Sequence, residues 1–144
     1  MLKLCCLVWR KRVGKLCPNA AYDALLDYIA NSDLITICQD TPASYDDATD
    51  LNDVGGDRVA GTALVPGDGN GDFVIAPVVG GGRKLTVGLH NAVPVVKDGT
   101  VTHVCLTLLA DTTLRYITTC DSRAVLNGDT LDLPVWTITI GAAT

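Results

Sequence analysis

"GTVTHVCLTLLADTTLRYITTC" (Gly99–Cys120) carries a histidine and two cysteines on two β-prone runs joined by an Asp-Thr-Thr turn. Side-chain alternation on either side of that turn predicts a β-hairpin, and the hairpin register decides whether the reactive groups meet. A connection centred on Ala110–Thr113, whichever common loop length closes it, pairs Leu109 with Leu114, His103 with Cys120 and Cys105 with Thr118. His103, Cys105 and Cys120 then share one face, while Val104, Leu106 and Leu108 point the other way.

Zinc accepts such a set, taking Cys sulfur and His nitrogen and leaving a fourth position open in catalytic sites. The face therefore defines one functional alternative, a small metal-dependent enzyme built on His103, Cys105 and Cys120. Three features count against it. The residues lack the C-x₂-C or H-x₃-H spacing of zinc sites. A slip of one residue would carry Cys120 to the opposite face. The chain also contains no glutamate, the general base that such hydrolytic sites often use. Thiols pack as small hydrophobes in strands, so the structural reading is preferred. No catalytic, cofactor-binding or metal residue is assigned, and an enzyme is not expected.

The rest of the composition points the same way. At 144 residues and 48% hydrophobic the chain suits a single compact domain. Every acidic residue is aspartate, accompanied by abundant Gly, Thr and Val, a mixture suited to short strands joined by Asp- and Gly-containing turns. Charge divides the chain near Pro18. Residues 1–17, "MLKLCCLVWRKRVGKLC", hold five basic and no acidic side chains, whereas residues 18–144 hold six basic against sixteen acidic, a net −10. The reading is a basic, Cys-containing arm on one acidic β-rich domain. The arm's short apolar run precedes its charge, unlike a secretory signal, and no run is long enough to span a bilayer. Nucleic-acid binding by the body is disfavoured by its charge and its few aromatics. Only the arm carries the charge for an anionic partner, and a leader outside the domain is the other reading of it.

Within the body, "NAAYDALLDYIANS" spaces Tyr22, Leu25, Leu26 and Ile29 for one amphipathic helix, with Asn19 as a candidate N-cap and Asp23 and Asp27 facing solvent. A strand at Leu34–Cys38 follows, then a long surface loop through "TPASYDDATDLNDVGGD". Six further β-prone runs, "RVAGTALV", "DFVIAPVV", "RKLTVGLH", "VTHVCLTLL", "LRYITTC" and "LDLPVWTITI", bring the expectation to about seven strands in a mainly β domain, a β-sandwich or jelly-roll. Pro77, Pro94 and Pro134 belong at strand ends, bulges or edges.

Other motifs carry less. "PGDGNGD" places Asp68, Asn70 and Asp72 as a calcium loop would, but Phe73 and Val79 stand where the motif needs glycine and glutamate, so a turn is expected. "GGGRKLTV" lacks the phosphate-loop spacing, and Arg83 and Lys84 read as the exposed start of a strand. Nothing marks the six cysteines as a disulfide framework, and reduced thiols are the default during synthesis.

The order of segments, from "YDALLDYIANSDLITICQDTPASYDDATD" through "DFVIAPVVGGGRKLTV" and "VTHVCLTLLADTTLRYITTC" to "LDLPVWTITI", resembles a family of small tailed-bacteriophage virion structural proteins over about residues 19–140. The "GRKLTV" strand, the "THV" strand with its hairpin and the "W-x-I-x-I" end carry the resemblance. It implies a virion protein made in the host cytoplasm, of head-decoration or fibre type, with no catalytic residues. The expected partners are the major capsid protein or other virion proteins, with self-association as a homo-oligomer, most simply a trimer. A tail or fibre component that contacts the host is the alternative within that class.

Overall fold

The computed structural model describes residues 18–51 and 58–141. The basic arm, residues 1–17, lies outside the described residues, as does part of the expected long loop, residues 52–57. The described chain runs α1 (Asn19–Ala30), β1 (Leu34–Cys38), α2 (Tyr45–Thr49), β2 (Arg58–Ala63), β3 (Phe73–Pro77), β4 (Gly82–Val87), β5 (His90–Pro94), β6 (Gly99–Leu108), β7 (Thr113–Val125), β8 (Thr130–Leu133) and β9 (Trp136–Gly141). It is a mainly β domain, with nine strands in three sheets among the described residues and a helix at its start. The sheet orders are β2-β1-β6-β7, β3-β4-β9 and β5-β8. No helix among the described residues is long and apolar enough to cross a membrane.

Helix α1 buries Leu26, Ile29 and Ala30, whereas Leu25 of the expected stripe is 51% exposed. Pro18 occupies the N-cap with no side-chain cap bond, which corrects the assignment of that role to Asn19. At the other end the Ser32 hydroxyl, fully buried, donates to the Ile29 carbonyl at 2.7 Å and satisfies an acceptor that the helix leaves open. Asp23 does not simply face solvent. It pairs with Arg83 of β4 and ties the helix to that sheet, while Asp27 is exposed.

Two strands more than expected arise at prolines and polar residues. Pro134 splits "LDLPVWTITI", since a residue without an N–H cannot continue the ladder. On its N-terminal side β8 pairs with β5, and beyond it β9 pairs with β4, so the chain changes sheet there. Strand β5, "HNAVP", is too polar to stand out in sequence, and its register slips between His90 and Val93 where Ala92 takes φ 54°. Pro77 and Pro94 each end a strand, as expected. Inside the expected loop, α2 forms because the Ser44 hydroxyl accepts the Asp47 N–H at 3.1 Å while the Asp47 carboxylate accepts the Ala43 N–H at 3.1 Å. That reciprocal arrangement is a variant of the capping box.

One apolar cluster joins α1 to all three sheets, through residues such as Leu26, Ile35, Phe73, Leu85, Val93 and Leu106. A smaller cluster, Cys38, Ala48 and Cys105, lies on the other face of the β1–β6 pair and is covered by α2. Aspartates hold the connections. Asp33, Asp68, Asp72, Asp98, Asp129 and Asp132 each accept a backbone N–H from another part of the chain or from a turn. Phe73, fully buried in the main cluster, should cost about 3–5 kcal/mol on replacement by Ala. Leu25→Ala on the exposed side should stay within roughly 0.5 kcal/mol of the parent. Urea unfolding of the two variants tests this assignment of the helix face and the core.

Candidate functional site

Strand β6 lies between β1 and β7, and the two ladders it makes differ in regularity. Against β1 the pairing is uninterrupted from Leu34↔Thr107 to Cys38↔His103. Against β7 it is broken twice. The hairpin closes one residue earlier than expected, with Leu108↔Thr113 and Thr107↔Leu114 flanking residues 109–112. The Leu109 N–H, which would otherwise extend the ladder, donates to both carboxylate oxygens of Asp33 at 3.1 and 3.3 Å. In the turn itself the Asp111 carboxyl is held below its ordinary range, first by the Thr113 hydroxyl and then by Arg115.

A bulge then sets Leu106↔Tyr116, Cys105↔Ile117, Val104↔Thr118 and His103↔Thr119. Thr119, not Cys120, therefore stands opposite His103. This corrects the predicted face: His103 and Cys105 share a side, and Cys120 falls on the other with Val104 and Thr118. A second irregularity places residues 120–122 of β7 against Thr102 alone, before Val101↔Arg123 resumes the ladder.

On the face shared by His103 and Cys105, a different cysteine arrives from β1. The sulfurs of Cys38 and Cys105 are 3.8 Å apart and both side chains are fully buried. Thr36 Oγ1 lies 3.8 Å from the Cys38 sulfur, which reaches the Ala48 carbonyl of α2 at 3.9 Å. The His103 ring is occupied at both nitrogens, with Nδ1 2.8 Å from Thr102 Oγ1 and Nε2 2.9 Å from Thr41 Oγ1. The Thr102 hydroxyl spends its one proton on the Gln39 carbonyl at 2.8 Å, so it accepts from Nδ1–H, and Nε2 accepts from Thr41. That tautomer leaves no ring lone pair for a metal. No group of three or more His, Cys or Asp side chains among the described residues is placed to hold a metal ion. The donor set does not fit zinc at this face.

Cys120 instead lines a cleft of about 320 Å³ with Val104, Thr118, Leu133, Pro134 and Trp136, near the point where Tyr116 stacks on Trp136 at 5.9 Å between centroids. A second hollow shares Cys120, Leu133 and Pro134 with the first and reaches Ile37 and Val101 in the core. Burial pushes the Cys120 thiol up, and Asp121 beside it adds to the rise.

The remaining motifs resolve as architecture. In "PGDGNGD" the Asp68 carboxylate accepts the Ile75 N–H at 2.7 Å and Asp72 accepts the Val65 N–H at 2.7 Å, so the loop is a stapled turn. In the glycine run, Gly80, Gly81 and Gly82 all take positive φ and close the β3–β4 connection, where side chains would be strained. Sequence reading placed Cys38 in a strand without bringing it to Cys105. The alternation that puts Thr36 and Cys38 on one face was visible, but the partner strand lies 67 residues on.

No protein-family model matches the chain, and neither the curated proteins nor the solved structures contain a match.

Among the described cysteines only Cys120 is exposed. Alkylation of the native protein by iodoacetamide should therefore modify Cys120 before Cys38 or Cys105, with a pH midpoint above that of an ordinary thiol. Asp121→Asn removes the like charge and should move that midpoint down. Peptide mapping against pH reads both effects, and an unmoved midpoint would remove Asp121 from the explanation.

Proposed function

We propose that this chain is a structural protein of tailed-bacteriophage virions, of the kind that decorates the head shell. In this reading the three sheets form one β-sandwich of jelly-roll type. The observation that carries the proposal is what the polar side chains are used for. The aspartates staple turns, and His103 is locked between two threonines. These groups serve shape, and a small acidic β domain presenting a fixed shape suits attachment to a repeated surface, which requires complementary area and no chemistry. The resemblance of the segment order to that of small virion proteins supports the same reading.

Exposed apolar side chains such as Val65, Val74, Val79, Leu89 and Val135 are available for such contacts. With few aromatic anchors, each contact is weak, and occupancy comes from multiplicity in a homo-oligomer, most simply a trimer. The partners in this reading are the major capsid protein or neighbouring virion proteins.

Two measurements test this. Mass determination in solution should give a trimer, and electron microscopy of intact virions should place copies across the head shell. A few copies at the tail tip or in fibres would move the function to host attachment, and absence from virions would overturn the reading. Deleting residues 1–17 is expected to leave the melting temperature of the domain within a few degrees, roughly the shift that 1 kcal/mol makes at this size, while weakening attachment to particles. Unchanged attachment would leave the arm without a part in it.

A further inference from the structure

The small cluster beneath α2 holds the reactive pair. Cys38 and Cys105 occupy diagonal positions on adjacent strands, because Cys38 pairs with His103 and Cys105 with Thr36. Their sulfurs stand at 3.8 Å against about 2.05 Å in a disulfide, and because diagonal positions lie farther apart than directly opposed ones, closure needs the end of β1 to move as well as the side chains to turn. Cys38 is placed to make that movement. It is the last residue of β1, and the pairing of β1 with β2 slips between Ile37 and Cys38.

A cation stands beside the same thiol. Arg58 is the β2 partner of Cys38 in the register, and its Nε is buried without a hydrogen-bond partner. Burial lowers the guanidinium from its usual range, and Cys38 and Tyr45 act in the opposite direction. A positive charge next to a thiol favours the thiolate, the form that attacks an electrophile, and here it works against the full burial of Cys38, which favours the thiol. Cover comes from α2, a helix of only five residues, too short to be stable without its packing.

We propose that Cys38 and Cys105 form a redox-active dithiol site that takes a hydroperoxide as its oxidant and closes to an intramolecular disulfide, with Arg58 as its positioning residue. The Cys38 thiolate attacks one peroxide oxygen, the O–O bond breaks, and hydroxide leaves to become water, giving a sulfenic acid. The Cys105 sulfur attacks the Cys38 sulfur, the S–O bond breaks, and the sulfenic hydroxyl leaves as water with the Cys105 proton, the Cys38 proton having gone to the hydroxide released in the first step. One hydrogen peroxide is reduced to two waters, and two thiols are oxidised to one disulfide. Hydrogen peroxide is small enough to enter on a local opening of the helix that covers the pair. This inference stands apart from the virion reading and does not need it.

The test uses the full chain with Cys5, Cys6, Cys17 and Cys120 replaced by Ser, so that only the pair remains. After native exposure to hydrogen peroxide, quenching and alkylation in denaturant, both thiols should be lost together. Non-reducing peptide maps should join the Cys38 and Cys105 peptides, and dithiothreitol should restore the starting mass. Near neutral pH, Arg58→Gln should slow closure about tenfold, the change in thiolate fraction made by one pKa unit. The difference should vanish at high pH, where the thiolate forms without help, and Arg58→Lys should keep the parental rate. Two thiols that still alkylate fully, or over-oxidation of Cys38 with no joined peptide, would overturn the dithiol. A slowing by Arg58→Gln that persists at every pH would overturn the role of Arg58.

Discussion

The ladder of β6 is the constraint on which the rest of the molecule depends. On one side β1 pairs with it without interruption, and that pairing buries Ile35, Ile37 and Leu106 in the main core and sends Cys38 and Cys105 to the opposite face. On the other side β7 follows only by way of two irregularities. Because side chains alternate with a period of two, each single-residue shift exchanges the two faces. Asp33 diverts the Leu109 N–H and starts the hairpin one residue early. That early start moves the pairing by two residues and by itself keeps Cys120 on the face of His103; the bulge at Arg115 moves it by one, so Cys120 leaves the face of His103 and enters the cleft beside Trp136.

Aspartate has two kinds of work in this fold. In the turns its short carboxylate reaches backbone N–H groups that would otherwise lack a partner, and this links segments distant in sequence, as Asp132 does for Ala92 and Asp98 for Asn127. Elsewhere it meets arginine: Asp23 with Arg83 joins helix to sheet, and Asp111 with Arg115 holds the hairpin turn. Arg115 also lies over the Tyr28 ring, 4.2 Å from its centroid, so the turn and the helix meet at one side chain. A glutamate would carry its carboxylate further from the backbone at greater entropic cost, which gives a physical reason for an acidic complement made of aspartate alone.

The cleft and the dithiol divide the chemistry of the domain by solvent access. Among the described cysteines Cys120 is the exposed one, set where β7 faces the Leu133–Pro134 crossing between sheets. Cys38 and Cys105 are enclosed, next to a cation and under a short helix.

Much of the architecture was legible from local pattern. The helix, the strand Leu34–Cys38, the hairpin and the punctuation by Pro77, Pro94 and Pro134 follow from period, β-propensity and the missing proline N–H, properties that each residue carries with it. The capping arrangement of Ser44 with Asp47 was equally local and was hidden only by its polar surroundings. Register was not local. Whether His103 shares a face with Cys120 depended on one extra residue of β7, Arg115, between the pairs Thr107↔Leu114 and Leu106↔Tyr116, which no local pattern marks. The meeting of Cys38 with Cys105 and the approach of Arg58 likewise required three strands to be laid side by side. Sequence by itself marked most of the segments that become strands, the polar β5 excepted, and which residues are chemically able. The tertiary structure decided which of those residues share a face, because a period of two makes that choice turn on a single unpaired residue in one strand.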